Sequence, residues 1–149
     1  MKLHKLIASV FGIGYIKGGG TLAAIACCII WFFIPAGNHA GYWQVIITLL
    51  VTIIGIWSAN IVEQDWGKDS SKVVIDEVSG MMVTLLFVPV QIKYVLVGLV
   101  LFRFFDIVKP LYIRKMEDLP KGWGVMGDDI LAGIYSLILL QSIVTVRLF

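Results

Sequence analysis

Acidic residues occupy only two short stretches of this chain. All ten lie within Glu63–Glu77, the first acidic window, or Asp106–Asp129, the second, and most of the remaining sequence is apolar. An ionised carboxylate near hydrocarbon is costly, so acids that an apolar chain retains tend to serve a function. The distribution therefore predicts one charged site at a membrane surface, provided that the fold brings the two windows together.

The composition is typical of a polytopic membrane protein. Hydrophobic residues make up 59% of the 149 positions and charged residues 15%, whereas soluble domains carry about 25% charged residues. The length suits a single domain over residues 1–149 with four or five membrane segments. A net charge of +2, without a basic patch interleaved with aromatic residues, argues against nucleic-acid binding. The adjacent Cys27 and Cys28 are expected to be small core residues.

Apolar segments predict an all-α membrane bundle. An interfacial amphipathic helix is expected over residues 1–16, and it overlaps the start of a glycine-rich loop, Gly12–Thr21. Membrane helices are predicted over five apolar stretches: 22–34, 43–60, 78–88, 91–105 and 130–146.

Pro89 determines the predicted topology. A continuous helix from Val78 to Phe105 would be about 42 Å long and would place the two acidic windows on opposite membrane faces. A proline near its middle favours instead a short helical hairpin, broken near Pro89, that returns both windows to one side. Every lysine and arginine except Lys93 and Arg147 then lies on that side, which the positive-inside rule assigns to the cytoplasm.

The same acid-x-x-x-Gly spacing occurs once in each acidic region. Asp76 precedes Gly80, and Asp129 precedes Gly133. Residues four apart share a helix face, so each glycine is expected to leave space beside its carboxylate. Two such helices entering the membrane from one side would form an anionic pocket. The alternative is structural, with Asp128 and either Ser70 or Ser71 capping helices.

Crowded carboxylates predict a divalent cation between them. Mg²⁺ is the natural candidate, because it takes oxygen ligands from one or two carboxylates together with substrate phosphate. The expected ligands are Asp76, Glu77, Asp128 and Asp129, with Asp106 as an additional one.

Basic residues between and before the windows are predicted to hold phosphate. Arg103, Lys109 and Arg114 are candidate phosphate clamps, although Arg103 and Asp106 would also suit a structural ion pair. Lys17, with the backbone N–H groups near Gly20 and Thr21, resembles an anion cradle at a helix N-terminus. The alternative is that these glycines only permit a tight turn.

Four stretches of the chain resemble the phosphatidylglycerophosphatase A family. They are Gly20-Thr21, Asp76–Gly80, Phe102–Pro110 with Ile113-Arg114, and Lys121–Gly133. The loop departs from the pattern of many members at Gly19 and Ala23, where those members have proline and glycine.

This resemblance implies an all-helical, Mg²⁺-dependent enzyme of the bacterial cytoplasmic membrane. Such an enzyme removes the terminal phosphate of phosphatidylglycerophosphate to give phosphatidylglycerol. Carried onto this sequence, the resemblance implies five acidic site residues: Asp76, Glu77, Asp106, Asp128 and Asp129.

The resulting hypothesis is hydrolysis of a lipid phosphomonoester at the cytoplasmic surface, with the five acids holding one or two Mg²⁺ ions. Water is the expected nucleophile, and an aspartyl-phosphate intermediate remains open. The expected partner is a phospholipid in the bilayer, and no oligomeric state is predicted.

Two other classes are a cation transporter or channel and a non-catalytic lipid-binding protein. A transport path should place acids near segment middles, but segments 22–34, 43–60 and 130–146 contain none.

Overall fold

The computed structural model describes residues 2–34 and 40–148, and the regular elements in these two ranges are all helical. The prediction of an all-α fold is confirmed. In chain order the helices are α1 (Leu3–Ala8), a short 3₁₀ helix (Ile13–Tyr15), α2 (Gly19–Trp31), α3 (Ala40–Trp66), α4 (Ile75–Leu85), α5 (Ile92–Val108), α6 (Ile113–Met116) and α7 (Gly122–Val146).

Helix boundaries differ from the sequence prediction at both ends of the chain. The expected helix over residues 1–16 stops at Ala8, because Val10 and Phe11 adopt positive φ angles of 47° and 55° that break the helix. At the other end, α7 begins at Gly122, well before the predicted start at residue 130. The Gly122 N–H donates a 2.6 Å hydrogen bond to Asn60 Oδ1, which attaches the start of α7 to α3.

Helices α4 and α5 form the predicted hairpin around Pro89. Their 11 and 17 residues correspond to lengths of about 17 and 26 Å, short of the roughly 30 Å hydrocarbon core. Asp76 at the start of α4 and Asp106 near the end of α5 line one cavity. The hairpin therefore brings the two acidic windows to the same end of the bundle.

Helices α3 and α7 are, within the described ranges, the two that are long and apolar enough to cross a membrane. Their 27 and 25 residues correspond to about 40 and 38 Å. Large apolar side chains project outward from both helices, including Leu49 and Ile53 on α3 and Ile138 on α7. A broad exposed apolar surface of this kind suits contact with lipid.

The closest helix packing lies where α4 crosses α7 at two glycines. A Cβ atom on Gly133 would collide with the carbonyl oxygen of Gly80, and one on Gly80 would lie 2.5 Å from the Asp129 carbonyl oxygen and the Phe102 ring. Glycine lets neighbouring helices approach until their backbones touch. These glycines were expected to leave space beside the carboxylates, but they instead form the helix contact one turn below Asp76 and Asp129.

Polar contacts hold α3 and the N-terminal segment against this pair. The Thr52 and Ser79 hydroxyls lie 2.6 Å apart and link α3 to α4. The Val74 N–H donates to the Ala8 carbonyl oxygen at 2.9 Å, which joins the end of α1 to the start of α4. These bonds place the glycine-rich loop beside the acidic end of the bundle. Cys27 and Cys28 are buried free thiols, as the sequence predicts.

Candidate active site

Three helix ends carry the five predicted acids. Asp76 and Glu77 lie in the first turn of α4, Asp106 lies near the end of α5, and Asp128 and Asp129 lie in the second turn of α7. All five line a single cavity of about 170 Å³. The structure thus brings together every acid that the sequence predicted for the site.

The predicted capping roles are wrong. The N-cap of α4 is Val74 rather than Ser70 or Ser71, and α7 is preceded by Lys121 rather than Asp128. Neither cap residue forms a side-chain cap hydrogen bond. The acids follow the first helical residue instead of preceding it, so their side chains are available to the cavity.

Asp76, Glu77 and Asp129 form the most concentrated group of carboxylates, called here the acidic triad. One carboxylate oxygen from each lies within 4.8 Å of the others. Glu77 Oε2 and Asp129 Oδ2 are buried and have no hydrogen-bond partner in the described part of the chain. Buried polar atoms normally have hydrogen-bond partners. The triad therefore offers unpartnered carboxylate oxygens that could act as ligands to a cation.

Electrostatics within the triad favour the same interpretation. Burial raises the pKa of the Asp76 carboxyl well above its ordinary value, and the nearby Glu77 and Asp129 carboxylates raise it further. A divalent cation would relieve this repulsion directly, because an opposite charge within a few ångströms favours the ionised form of a carboxyl.

Asp106 and Asp128 differ from the triad because each forms an ion pair. Arg103 pairs with Asp106 one turn along α5, and its Nη1 also lies 3.9 Å from Glu77 Oε1. Lys109 Nζ lies 2.5 Å from Asp128 Oδ2 and also pairs with Glu117. Burial would lower the pKa of Lys109, but its hydrogen bonds to Asp128 and Glu117 outweigh that effect and raise the pKa.

Lys109 is positioned by an unusual backbone conformation. It is the C-cap of α5, with a left-handed φ of 49°, and it precedes Pro110. Non-glycine residues adopt this conformation infrequently. The turn leaves Lys109 within reach of both Glu117 and Asp128, so it joins the end of α5 to α7 and to the segment before it.

A second cavity, of about 580 Å³, adjoins the acidic one and contains the glycine-rich loop. Lys17, Gly20, Thr21 and Arg103 line it, so four predicted phosphate-binding residues do lie together. The two cavities share three lining residues: Ser71, Val73 and Glu77.

Glycine is needed at two positions of this loop. Gly18 has a φ of 79°, a conformation that favours glycine, and precedes the first residue of α2. A Cβ atom on Gly20 would collide with Glu77 Oε1. The loop therefore packs directly against the acidic triad, and the first-turn amides of α2, including those of Gly20 and Thr21, have no acceptor within the helix.

Arg114 is the predicted site residue that the structure places apart. It lies on the four-residue helix α6, its side chain is exposed, and it lines neither cavity. Lys72 and Glu117 line the cavities without having been predicted, and Ser71, predicted only as a candidate helix cap, lines both. The only sequence signal of Lys72 and Glu117 is membership of the acidic windows, which does not distinguish cavity residues from solvated ones.

The chain is similar in sequence to a known family and to several of its members. The model of the family described as Phosphatidylglycerophosphatase A matches residues 6–144. A Bacteroides thetaiotaomicron protein provisionally named phosphatidylinositol-3-phosphatase is 44% identical, over 93% of this chain and 91% of its own length.

Two further relatives are named phosphatidylglycerophosphatase A. The Haemophilus influenzae protein is 33% identical over 93% of this chain and 86% of its own length. The Escherichia coli protein is 33% identical over 78% of this chain and 69% of its own length. A comparison with solved structures gave no significant match.

Proposed function

Because the chain belongs to the phosphatidylglycerophosphatase A family and is a phosphatase, we propose that it hydrolyses the terminal phosphomonoester of phosphatidylglycerophosphate. The products are phosphatidylglycerol and inorganic phosphate. The observation that carries this proposal is the acidic triad, which lines a cavity together with Lys109 and adjoins a second cavity lined by Lys17, Lys72 and Arg103. Metal-binding carboxylates next to phosphate-binding cations are the parts that phosphoryl hydrolysis requires.

Mg²⁺ is the proposed cofactor, and the residues present fit it. Asp76, Glu77 and Asp129 offer three converging oxygen ligands, and Mg²⁺ prefers carboxylate oxygen combined with water and substrate phosphate. Asp106 and Asp128 line the same cavity but are ion-paired. We therefore propose that they either support the residues that bind Mg²⁺ or act as ligands of a second ion. When bound, Mg²⁺ polarises phosphoryl oxygens and activates water.

The protein's own residues bind and orient the phosphate. Arg103 lies between Asp106 and Glu77, where its planar guanidinium is suited to donate to phosphate oxygens and to stabilise charge that develops during transfer. Lys109 holds Asp128 in position through their ion pair. Arg114 remains a predicted clamp that would have to act from outside the cavity. Water is the proposed nucleophile. If phosphorylated protein could be trapped after reaction with labelled substrate, the nucleophile would instead be an aspartate.

The substrate class follows from headgroup chemistry. In phosphatidylglycerophosphate, a phosphomonoester and the phosphodiester are separated by three carbons. Phosphatidylinositol 3-phosphate, the second candidate substrate, has the same three-carbon separation between its ring positions. The 44% identical relative favours this second candidate, and the shared spacing explains how one site would suit both lipids.

We also propose that the protein is a multi-pass protein of the bacterial cytoplasmic membrane with its site facing the cytoplasm. Helices α3 and α7 are the candidate spans, and the hairpin places both acidic windows at one end. Cysteines introduced at Ser70 and Lys121 should react with an impermeant maleimide from the same side of sealed vesicles. Buried Cys27 and Cys28 provide the unlabelled background. Reaction from opposite sides would reject the shared site.

An activity assay tests the function. The purified protein in detergent should release phosphate from phosphatidylglycerophosphate when Mg²⁺ is present. Phosphate release should stop when a chelator is added. The same assay on phosphatidylinositol 3-phosphate ranks the two substrates. Ion flux without phosphate release would favour a transporter, and lipid binding without release would favour a non-catalytic protein.

A further inference from the structure

We propose that the second cavity binds the phosphodiester that the substrate retains, and so restricts hydrolysis to lipids whose headgroup carries two phosphates. This inference rests on the proposed function, because it assumes that the phosphomonoester occupies the acidic cavity. It adds a subsite and a determinant of specificity, with Lys72 as its principal new residue.

The arrangement of the two cavities supports a substrate with two anionic groups. They share Ser71, Val73 and Glu77, so a single molecule can extend from one into the other. The acidic cavity measures about 170 Å³ and the second about 580 Å³. A phosphate group fits the first, whereas the second has room for the phosphodiester and the adjoining glycerol.

The two cavities have opposite charge. Five of the lining residues of the first are the predicted metal-site acids. The second is lined by Lys17, Lys72 and Arg103, and its one acid is Glu77, which it shares with the first. An anion would therefore bind in the second cavity without a metal ion, through Lys17, Lys72 and the first-turn amides of α2, while Arg103, which contacts Asp106 and Glu77 of the acidic cavity, serves the phosphomonoester. That difference suits a phosphodiester that is bound but not hydrolysed.

Lys72 is held at this position by aromatic rings. Its Nζ lies 5.8 Å from the ring centroid of Tyr15 and 5.6 Å from that of Trp66. These separations are within the range of cation–π attraction. The Lys72 carbonyl also packs against Gly14, where a Cβ atom would collide with it. The carbonyl contact fixes the Lys72 backbone beside the glycine-rich loop, and the two rings favour an ammonium position near the second cavity for a side chain that is otherwise exposed.

An apolar groove beside the second cavity offers a place for the lipid tails. Arg103 also lines an open apolar groove of about 380 Å³ on α5. The other groove residues are apolar: Leu99, Val100, Phe104, Ile107 and Val108. The order of groove, second cavity and acidic cavity matches the covalent order of acyl chain, phosphodiester and phosphomonoester in the lipid.

Two lipids with the same acyl chains test the subsite. Phosphatidylglycerophosphate carries both phosphates, whereas phosphatidic acid carries a phosphomonoester and no phosphodiester. With the full-length protein and Mg²⁺ in mixed micelles, kcat/KM should be about a hundredfold higher for phosphatidylglycerophosphate, since charge-assisted bonds to the second phosphate are lost with phosphatidic acid.

Substitutions then locate the discrimination. Lys72→Met should reduce the ratio of the two kcat/KM values about tenfold, and Lys72→Arg should restore it. Lys17→Met tests the same cavity from the glycine-rich loop and should act in the same direction. Lys68→Met is the matched control, because Lys68 lies in the same loop as Lys72, is exposed and lines neither cavity.

The outcomes separate this inference from the proposed function. Equal kcat/KM for both lipids, or an unchanged ratio in both Lys72→Met and Lys17→Met, would overturn the subsite while leaving the phosphatase activity intact. Release of phosphate from neither lipid by the wild-type protein would overturn the proposed function and the subsite with it.

Discussion

The acidic triad and the ion-paired acids occupy one cavity but differ in their neighbours. Asp76 and Asp129 form no ion pair in residues 2–34 and 40–148, and Glu77 has only the 3.9 Å approach of Arg103. Asp106 and Asp128 are each paired closely with a cation. A carboxylate paired closely with a cation gains less from a metal ion, whereas converging carboxylates without a close cation repel one another and favour the binding of one. This difference supports the proposed assignment of Mg²⁺ to the triad.

The two groups also depend on different parts of the fold. The triad forms because α4 and α7 approach closely at Gly80 and Gly133. The ion pairs form because the end of α5 supplies Arg103 and Lys109. Disturbing the crossing should therefore affect the triad first, whereas disturbing the end of α5 should affect the pairs.

The largest expected effect is loss of the triad. Asp76→Asn and Asp129→Asn should each lower kcat by about a thousandfold or more, since each removes a charged ligand from the metal. Phosphate release with Mg²⁺ measures this. Asp118→Asn is the matched control, because Asp118 is exposed and lines neither cavity. Substantial activity in both triad variants would reject the site.

A smaller effect is expected from widening the helix crossing. Gly133→Ala places a methyl group against the Gly80 carbonyl oxygen, which should separate α4 from α7 and lower kcat about a hundredfold, as a displacement near 1 Å can do. Gly127→Ala is the control on the same helix, because its Cβ atom would make only ordinary contacts of 3.5 Å or more. Equal activities in the two variants would show that the crossing does not position the triad.

A still smaller effect should follow from breaking an ion pair. Asp128→Asn leaves Lys109 with Glu117 alone, and kcat should fall about tenfold, because a charge-assisted bond worth roughly 1.5–3 kcal/mol is lost. Lys109→Met should lower thermal stability more than the double variant Asp128→Asn/Lys109→Met does. The single variant leaves the mostly buried Asp128 carboxylate without a cation, whereas the double variant removes both charges. Additive effects in this double-mutant cycle would contradict the proposed coupling.

The mildest test concerns stability rather than rate. At a free concentration 100 times Kd, Mg²⁺ should stabilise the wild-type protein by about 2.7 kcal/mol, which corresponds to a rise in Tm of about 5 to 10 °C. Asp128→Asn should retain most of this shift and Asp129→Asn should lose it. Thermal denaturation with and without chelator measures both. An equal shift in the two variants would remove the distinction between the triad and the ion-paired acids.

The amino-acid sequence by itself determined the helical class, the hairpin and five of the seven acids that line the cavity. These follow from local physics: apolar runs must hydrogen-bond their backbone internally in lipid, proline interrupts a helix, and carboxylates are too costly in hydrocarbon to occur without a role. The same reasoning failed where the property was not local. The apolar run predicted that α7 starts at residue 130, but the helix starts at Gly122. A hydrogen bond to Asn60, which is distant in sequence, attaches Gly122 to α3 there.

Only the tertiary structure decided how the charges are grouped. The sequence placed Asp76, Glu77, Asp106, Asp128 and Asp129 in one predicted set of metal ligands, and it gave Lys109 and Arg114 the same predicted role as phosphate clamps. The three-dimensional arrangement distinguishes them, because whether a carboxylate meets a cation depends on the approach of helices far apart in sequence. Coulomb interactions fall with distance and with solvent exposure, and those two quantities are set by packing at the α4–α7 crossing and at the end of α5.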